Sequence, residues 1–572
     1  MSRDARERRR ADLRAAALAF AAALVLLVPG LDRLGARDTT DARYLEAARE
    51  MWASGDWLVP RLAGLPHLDK PPLSYWTSAA GFALLGPTPF AGRIGQQLAV
   101  AGAAAVVLVF GRRRIGAAGG AAAAGVFLTS ALVFGTSRAA GTDMLQLLFL
   151  TAALALLYEG ALRRAAVPTA LAFAALGLSM WAKGPIALFV ALVVVLPFLG
   201  WTGLRLPARG VAAGALLFLA LGLPWYAILV ARDPALLDYF VGQQLLSRAT
   251  GDGEGHVHGL LYLPVRGVAS GFLPWTPLVL LVAWRLRPRA GAPRDPLDAF
   301  LWSWTVAPFV FFQLFPTKLP TYLAPCVPGA ALLVGLALER GRLDDRAGRG
   351  ALAASLGLAA LACALAAALL ATAAWAPART ERWLAPDEAR TPLAFAAALV
   401  AAGLGLAALA RRARQGAFAG GLVAPAAAVG AALALGFCGL AAPMPDHAAD
   451  ARLVRAVPGA RVVQYGVFRP GLLFYLDDEA GIGVALRETF VEEAGRNGAA
   501  NLALGREDVE AWMREDVPTF VLAKRRHEEA LAEAFGARSV RRTRHFALLA
   551  NRAALAALEA ARRVEVAAPP AL

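Results

Sequence analysis

Long apolar segments alternate with short polar loops from the start of the chain to about residue 440. Each apolar segment has roughly 17–25 residues, the length an α-helix needs to cross about 30 Å of hydrocarbon. The pattern therefore predicts a mainly α fold, a polytopic transmembrane helical bundle. The spans, about 13 by this criterion, are predicted at 13–29, 90–110, 116–135, 143–158, 167–182, 184–200, 211–230, 260–284, 297–315, 320–338, 351–375, 391–410 and 417–440.

Residues 73–86 do not fit this pattern, because they are shorter and only moderately apolar. We interpret them as a juxtamembrane or re-entrant segment. The arginine-rich loops support this choice: basic residues collect on the cytoplasmic side, and a span at 73–86 would place Arg112–Arg114 on the outer side. The predicted outer loops are 31–72, 136–142, the turn at Lys183, 231–259, 316–319 and 376–390.

The two ends of the chain differ from the bundle. The basic start precedes the first apolar run without a clear cleavage site, so we expect an anchor that stays. After Ala441, charged helical pieces alternate with short β-like runs at 461–468, 519–524 and 545–550. We predict a membrane domain over 1–440 and a small soluble α/β domain over 441–572, placed outside by the odd number of spans and packed on the bundle.

Composition supports a membrane protein. Hydrophobic residues make up 58% of the chain and charged residues 17%, against about 45–50% and about 25% in soluble proteins. The net charge of +16 fits cytoplasmic loops better than a nucleic-acid partner. The three cysteines lie in apolar segments without metal-binding spacing, which disfavours a disulfide framework.

The first outer loop contains a dense group of candidate catalytic residues. Asp38 and Asp41 follow the first span, with Arg43 and Tyr44 close behind. Ionisable groups at a membrane boundary are candidates for catalysis or substrate binding. Helix capping by Thr40 or Asp41 explains part of the same pattern equally well, so both readings stay open.

The segment LDKPPL, residues 68–73, presents a second candidate. Its two prolines fix the backbone and hold Asp69 and Lys70 in a defined direction. A lysine at the membrane surface binds a lipid phosphate as a point charge. The alternative is a snorkelling lysine with a neighbouring ion pair, and the Pro-Pro corner favours the phosphate.

The later outer loops add further polar residues. Asp143 begins a span, and Lys183 lies in an otherwise apolar hairpin, where a charge needs an anionic partner. Helix capping and interfacial anchoring are the alternatives for single residues of this kind. We expect an outer-face basic pocket built from Lys70, Lys183, Arg248 and Lys318, with Tyr322 beside it.

His256 and His258 lie two residues apart in a glycine-rich loop. They bind zinc only with carboxylate help from elsewhere, since a structural site usually needs four ligands. A divalent ion that bridges Asp69 and His256 is a second option, and a hydrated loop without metal is a third. The candidate cofactor is therefore zinc or magnesium, with Asp69, His256 and His258 as ligands.

The stretch DARYLEAAREMWASGDWLVPRL…LDKPPLSYW resembles the first outer loop of the aminoarabinose-transferase-like glycosyltransferases. These form part of glycosyltransferase family 39 of the GT-C class and are related to the protein O-mannosyltransferases. The segments GTDM, AKGP, GDGEGHVH…YLP and KLPTYLAP follow in the family's order.

The resemblance implies a bacterial inner-membrane enzyme that moves a sugar from a polyprenyl phosphate. The acceptor is a lipid or glycan at the periplasmic face, such as lipid A. It also implies metal contacts for Asp69 and His256, lipid-phosphate contacts for Lys70 and Tyr322, and an outer-loop aspartate at Asp143.

Two positions depart from the family pattern. Members often read D-E-x-R-Y, with a catalytic aspartate three residues before the arginine. Thr40 stands there, followed by Asp41, so Asp38 is an alternative to Asp41. The shorter histidine loop leaves the choice between His256 and His258 open.

The sequence therefore favours an inverting glycosyltransferase among membrane lipids. A lipid-linked sugar transporter or flippase is the second hypothesis, and a membrane scaffold is the third. Few charges lie at mid-membrane depth and no inverted repeat is evident, which disfavours a transporter. A scaffold leaves the charge pattern of the first outer loop unexplained.

Overall fold

The structure of the chain is a computed structural model. It describes residues 3–37, 40–246, 259–288, 295–375, 391–416, 422–441, 447–476, 481–485, 506–543 and 545–567. The predicted fold class is confirmed: the chain is mainly helical, with a small sheet near its C-terminus. The helices of the N-terminal half are α1 Arg3–Leu27, α2 Thr40–Ser54, α3 Leu73–Leu85, α4 Pro89–Arg114, α5 Ala117–Thr129, α6 Ala131–Thr136, α7 Asp143–Arg163, α8 Ala166–Lys183, α9 Ile186–Thr202, α10 Ala208–Gly222, α11 Pro224–Arg232 and α12 Leu236–Asp238.

The remaining helices complete the bundle and the C-terminal region. They are α13 Thr276–Arg285, α14 Pro296–Gln313, α15 Cys326–Glu339, α16 Arg346–Trp375, α17 Thr391–Arg414, α18 Val423–Ala441, α19 Ala448–Arg455, α20 Pro470–Tyr475, α21 Arg506–Arg514, α22 Glu528–Phe535 and α23 Arg552–Ala567. Two π-helical segments, Tyr239–Leu246 and Leu263–Ala269, and three short 3₁₀ segments, Leu31–Arg33, Pro320–Leu323 and Arg525–His527, lie between them.

Seven helices of the described chain are long and apolar enough to cross a membrane, or eight if the bent pair of α10 and α11 forms one span. The bend between α10 and α11 is 49° and lies just before Pro224, a residue that cannot continue the hydrogen-bond ladder of a helix. Several other predicted spans correspond to shorter apolar helices, such as α5, α9 and α15. The segment interpreted as juxtamembrane forms α3, a helix of 13 residues.

Four arginines form ion pairs at the end of the bundle that bears the arginine-rich loops. Arg114 pairs with Glu159, Arg113 with Asp12 at 2.7 Å, Arg340 with Asp295 and Asp298 at 2.8 and 2.6 Å, and Arg285 with Asp345 at 2.5 Å. The polar side chains at the other end of α4 begin with Arg93. The 21 residues from there to Arg114 correspond to roughly 30 Å of helix, so the two ends of the bundle are chemically distinct.

Small residues let the helices of the bundle approach closely, as is common in membranes. A Cβ atom added at Gly111 of α4 would lie 2.6 Å from the Cα atom of Gly120 in α5. An aromatic cluster beside Arg114 joins α7, α9 and α14, with Tyr158 and Phe300 ring centroids 4.8 Å apart and Phe198 and Phe300 centroids 5.1 Å apart. The core of the molecule is this close-packed bundle.

A short hairpin follows α2 in the outer loop. Strands β1 Arg61–Leu62 and β2 Leu65–Pro66 pair antiparallel around Ala63 and Gly64. Both turn residues have positive φ angles, 54° and 76°, as a tight two-residue hairpin requires. The hairpin leads directly into the segment that contains Asp69 and Lys70.

The C-terminal region forms one five-stranded sheet in the order β4-β3-β5-β7-β6. The strands are β3 Arg461–Tyr465, β4 Gly481–Ala485, β5 Thr519–Lys524, β6 Arg538–Arg542 and β7 Phe546–Ala550. Strands β4, β3 and β5 are parallel, and β7 pairs antiparallel with both β5 and β6. The three β-like runs seen in the sequence are β3, β5 and β7. The predicted boundary between the domains at residue 440 stays a prediction.

Candidate functional site

Polar side chains on α4 bind the backbone of the outer-face loops. The Arg93 side chain is fully buried and donates to the carboxylate of Asp41 and to the carbonyl oxygens of Leu34 and Gly35 at 2.7 and 2.6 Å. One turn further along, Gln96 donates to the carbonyl oxygen of Gly141 at 2.5 Å. This polar face of α4 therefore holds the backbone of residues 34–35, the Asp41 side chain and the backbone of Gly141 next to each other.

Asp41 is 6% exposed and its carboxylate is saturated with donors. It accepts hydrogen bonds from the Arg93 guanidinium at 2.5 and 3.1 Å, from the Arg37 backbone N–H at 3.0 Å and from the Ala140 backbone N–H at 2.6 Å. Because both carboxylate oxygens accept hydrogen bonds from protein groups, Asp41 connects the segment around Arg37 to the segment around Ala140. The prediction that it is catalytic stays untested.

Four predicted residues lie outside the described residues: Asp38, Arg248, His256 and His258.

A cavity of about 410 Å³ opens beside the first outer loop. Its polar end contains Asp69, Lys70, Lys183 and Tyr322. The rest of its wall is mostly apolar and aromatic, formed by Leu68, Pro71, Pro185, Ile186, Phe189, Trp225, Tyr226, Phe240, Phe311, Phe312 and Phe315. A cavity with a cationic end and an aromatic wall suits a ligand that is anionic at one end and apolar at the other.

The cationic end of the cavity contains a partly buried ion pair. The Lys183 Nζ atom lies 2.8 Å from Asp143 Oδ1, with the two side chains 17% and 22% exposed. The same ammonium lies 5.3 Å from the centroid of the Tyr322 ring, a cation–π distance. A narrow space behind the pair is bounded by Asp143, Lys183, Tyr322 and Gln146. The carboxylate partner expected for Lys183 is therefore Asp143.

Lys70 and Asp69 also line the polar end of the cavity. The Lys70 Nζ donates to the Asp69 carbonyl oxygen at 2.7 Å. The Asp69 carboxylate accepts from the Tyr239 hydroxyl at 3.0 Å and from the Gln244 amide at 3.2 Å. Arg43 lies 3.9 Å from it. Asp69 thus joins the first outer loop to the π-helical segment Tyr239–Leu246.

Two predicted binding residues lie behind the cavity rather than in its wall. Tyr44 is buried and stacks on Tyr75 with ring centroids 5.4 Å apart, and burial raises the pKa of its hydroxyl well above the ordinary value. Lys318 is 4% exposed and donates to the Phe315 carbonyl oxygen. Neither is among the described residues that line the cavity, so the expected basic pocket contains Lys70 and Lys183 but not Lys318.

The candidate metal site stays a prediction, because His256 and His258 lie outside the described residues. Within the described ranges, no group of three or more histidine, cysteine, aspartate or glutamate side chains lies close enough to hold an ion. Asp69 supplies one carboxylate, and its nearest partners are a hydroxyl, an amide and a guanidinium. The described residues alone therefore do not form a metal site.

The sequence reasoning missed several residues of the site. Arg93 and Gln96 lie inside the predicted span 90–110, where a buried charge was itself a signal for a polar site. Tyr239 and Gln244 lie in the predicted outer loop 231–259 without a motif that marks them. The aromatic wall comes from five separate segments and has no local sequence pattern.

Fold and cavity together define a polytopic membrane protein with a polar site at one end of its helical bundle. Residues 69–228 match the family described as dolichyl-phosphate-mannose-protein mannosyltransferase. The fold resembles that of ArnT from Cupriavidus metallidurans bound to undecaprenyl phosphate, with a TM-score of 0.75, 23% identity, and coverage of 94% of this chain and 98% of that chain.

Relatives of known name point in the same direction. The chain is 32% identical over 313 residues to the undecaprenyl phosphate-alpha-4-amino-4-deoxy-L-arabinose arabinosyl transferase of Edwardsiella ictaluri, covering 52% of this chain and 55% of the relative. It is also 33% identical over 305 residues to the undecaprenyl phosphate-alpha-4-amino-4-deoxy-L-arabinose arabinosyl transferase 1 of Sodalis glossinidius. That match covers 51% of this chain and 53% of the relative. The match spans about half the length of these relatives. These matches confirm the predicted resemblance to the aminoarabinose-transferase-like glycosyltransferases, and the likeness to ArnT shows that the chain shares its fold.

Proposed function

We propose that the chain is an inverting membrane glycosyltransferase that moves a sugar from a polyprenyl phosphate to an acceptor at the outer face of the membrane. The observation on which this depends is the cavity with Lys70 and Lys183 at its polar end and aromatic side chains along its wall. The relatives named as undecaprenyl phosphate aminoarabinosyl transferases support the donor class. The proposed acceptor is lipid A or another envelope glycolipid.

The proposed reaction is a single displacement at C1 of the sugar. The bond between C1 and the phosphate oxygen breaks, and a bond between C1 and the acceptor oxygen forms on the opposite face, which inverts C1. Lys70 and Lys183 stabilise the negative charge that develops on the departing phosphate. Asp143 keeps the Lys183 ammonium directed at the cavity through their 2.8 Å contact.

A hydroxyl acceptor must lose its proton as the new bond forms, and a carboxylate base receives it. Both carboxylate oxygens of Asp41 already accept hydrogen bonds from Arg93, Arg37 and Ala140. We therefore assign the base to Asp38, next to the segment that Asp41 holds, and give Asp41 a positioning role. An acceptor phosphate is already anionic and needs no base.

A divalent ion is a separate proposal. Zinc or magnesium at Asp69 requires a histidine from the 256–258 segment to complete a donor set, and no step above depends on it. Dialysis against a chelator, followed by metal analysis of the purified protein, measures whether an ion is bound.

The multi-pass membrane location follows from the apolar helices and the fold. We propose a bacterial inner membrane with the site and the C-terminal sheet on the periplasmic side. The contact of α20 with the outer loop, described below, supports placing both on the same side.

The experiment compares membranes that contain the wild-type chain with membranes that contain Lys70→Ala. Both are incubated with a polyprenyl-phosphate sugar and envelope lipids, and the products are identified and quantified by mass spectrometry. We expect transfer by the wild type and a reduction of at least about tenfold in Lys70→Ala, since one charge-assisted contact contributes about 1.5–3 kcal/mol.

Lys524→Ala, in β5 of the C-terminal sheet, is the matched control, and it should transfer sugar at the wild-type rate. Full transfer by Lys70→Ala would contradict the phosphate role of that lysine. Movement of the intact lipid-linked sugar across proteoliposomes without any transfer would instead identify a flippase.

A further inference from the structure

Among the described residues of the C-terminal region, the short helix α20 packs on the first outer loop beside the candidate site. Phe474 of this helix is 4% exposed and packs with α2 and α3 side chains, including Phe82, whose ring centroid lies 6.0 Å away. The next residue, Tyr475, accepts a hydrogen bond at its hydroxyl oxygen from the Ala36 backbone N–H at 2.7 Å. The contact therefore reaches the backbone of the first outer loop.

The contacted backbone is the segment that precedes the candidate carboxylates. Arg93 of α4 holds the carbonyl oxygens of Leu34 and Gly35, and Asp41 of α2 accepts from the Arg37 N–H. Ala36, between them, is 1% exposed, so its N–H needs an acceptor inside the protein. Tyr475 supplies it from a position 439 residues away in the chain.

We infer that Tyr475 is a positioning residue of the active site, and that the C-terminal region acts in the reaction by fixing the loop that leads to Asp38 and Asp41. Three elements, α4, α2 and α20, each bond one part of residues 34–37, and α20 is the one contributed from outside the membrane bundle. The phenol ring itself does not touch substrate in this assignment. The inference rests on the proposed function for its catalytic part and on geometry alone for its structural part.

The geometry makes the hydroxyl group separable from the packing. Tyr475→Phe keeps the ring, which lies 5.4 Å from the Phe474 ring, and removes the hydroxyl oxygen that accepts from Ala36. A buried N–H without an acceptor loosens the segment, and the expected effect is a kcat about five- to tenfold lower with an unchanged donor KM. Tyr465→Phe, in β3 with its ring against His527, is the matched control.

Two measurements on the full chain in detergent test the inference. Hydrogen–deuterium exchange follows the amides of residues 31–41, where Tyr475→Phe should exchange at least about tenfold faster at Ala36 and Tyr465→Phe should not. Steady-state transfer from a polyprenyl-phosphate sugar gives kcat and KM. Faster exchange together with the fall in kcat supports the inference.

Three outcomes would overturn it: unchanged exchange at Ala36, faster exchange with wild-type kcat, or a fall in thermal stability with both kinetic constants unchanged. A wild-type chain that transfers no sugar would contradict the proposed function instead. In that case the exchange experiment alone decides whether α20 holds the loop, because it needs no substrate.

Discussion

At the scale of single residues, the burial of Arg93 distinguishes a structural charge from a catalytic one. Its guanidinium is fully buried against Asp41, and removal of one partner from such a pair costs about 3–5 kcal/mol because the other charge remains uncompensated. We expect Arg93→Leu to lower the free energy of unfolding by about that amount. Denaturant unfolding of the purified protein, followed by tryptophan fluorescence, measures it.

Arg61→Leu provides the comparison, because the Arg61–Asp56 pair is exposed, with atoms 3.6 Å apart and side chains 40% and 35% exposed. Exposed pairs contribute about 0–1 kcal/mol. Equal stability of the two variants would show that Arg93 is not the tie we describe.

The ion pair of Lys183 and Asp143 leads to a second prediction at this scale. Lys183→Met removes the ammonium from the cavity, and we expect kcat/KM for the donor to fall at least about tenfold. Asp143→Asn leaves the ammonium but no longer directs it. If the two residues act as one unit, the double variant should lose less than the sum of the single losses, with a coupling of about 1–3 kcal/mol. If the free-energy losses in kcat/KM of the two single variants simply add in the double variant, Lys183 and Asp143 act independently.

At the scale of elements, Glu50 ties the hairpin to α2. Its carboxylate accepts from the Ala63 and Gly64 backbone N–H groups at 2.5 and 2.9 Å. Burial, with Glu46 nearby, raises the pKa of Glu50 to about 7. The folded chain therefore binds this proton more tightly than the unfolded chain does. The stabilisation is complete below pH 4.5 and is lost as the pH rises through 7.

We therefore expect the unfolding temperature of the wild type to fall, relative to Glu50→Gln, as the pH rises from 5 to 8. The effect corresponds to about 1–2 kcal/mol. Scanning calorimetry in one detergent measures both proteins, and Glu529→Gln, an exposed change in α22, should keep the wild-type slope. If the unfolding temperatures of wild type and Glu50→Gln changed with pH in parallel, Glu50 would not be protonated in the folded chain.

Elements with a strong local signal could be predicted from the sequence. The long apolar runs predicted the helices of the bundle, and short β-like runs predicted β3, β5 and β7. Strand β6, RSVRR, was missed because an edge strand with three arginines has no apolar face. Strand β4, GIGVA, was missed because two glycines weaken a short strand signal.

The site shows the same division. Lys70, Lys183 and Tyr322 line the cavity as expected, because each is a polar residue in an otherwise apolar setting. The separation of Lys318 from the cavity was not predictable, since it depends on which way the 3₁₀ turn Pro320–Leu323 directs the loop. The hydrogen bond between Ala36 and Tyr475 joins residues 439 positions apart. A local sequence pattern does not predict a contact between residues so far apart in the chain.

At the scale of the whole molecule, the proposal requires the two ends of the bundle to face different compartments. Arg93 and Arg114 lie on one helix about 30 Å apart, with the cavity near the first and the arginine-rich loops near the second. The helix α20 contact then places the C-terminal sheet with the cavity. The arrangement predicts that α2 and α22 share one compartment while the end of α17 lies in the other.

Single cysteines introduced into a cysteine-free background test this arrangement in intact cells. Ala53→Cys in α2 and Glu529→Cys in α22 are exposed positions near the predicted outer face, and Gln415→Cys follows α17 on the opposite side. A membrane-impermeant maleimide should label the first two directly and the third only after permeabilisation. If position 415 were labelled together with position 53, the predicted number of spans would be wrong. If position 529 alone required permeabilisation, the sheet would be separated from the cavity, and the contact between Tyr475 and Ala36 could not exist in the membrane.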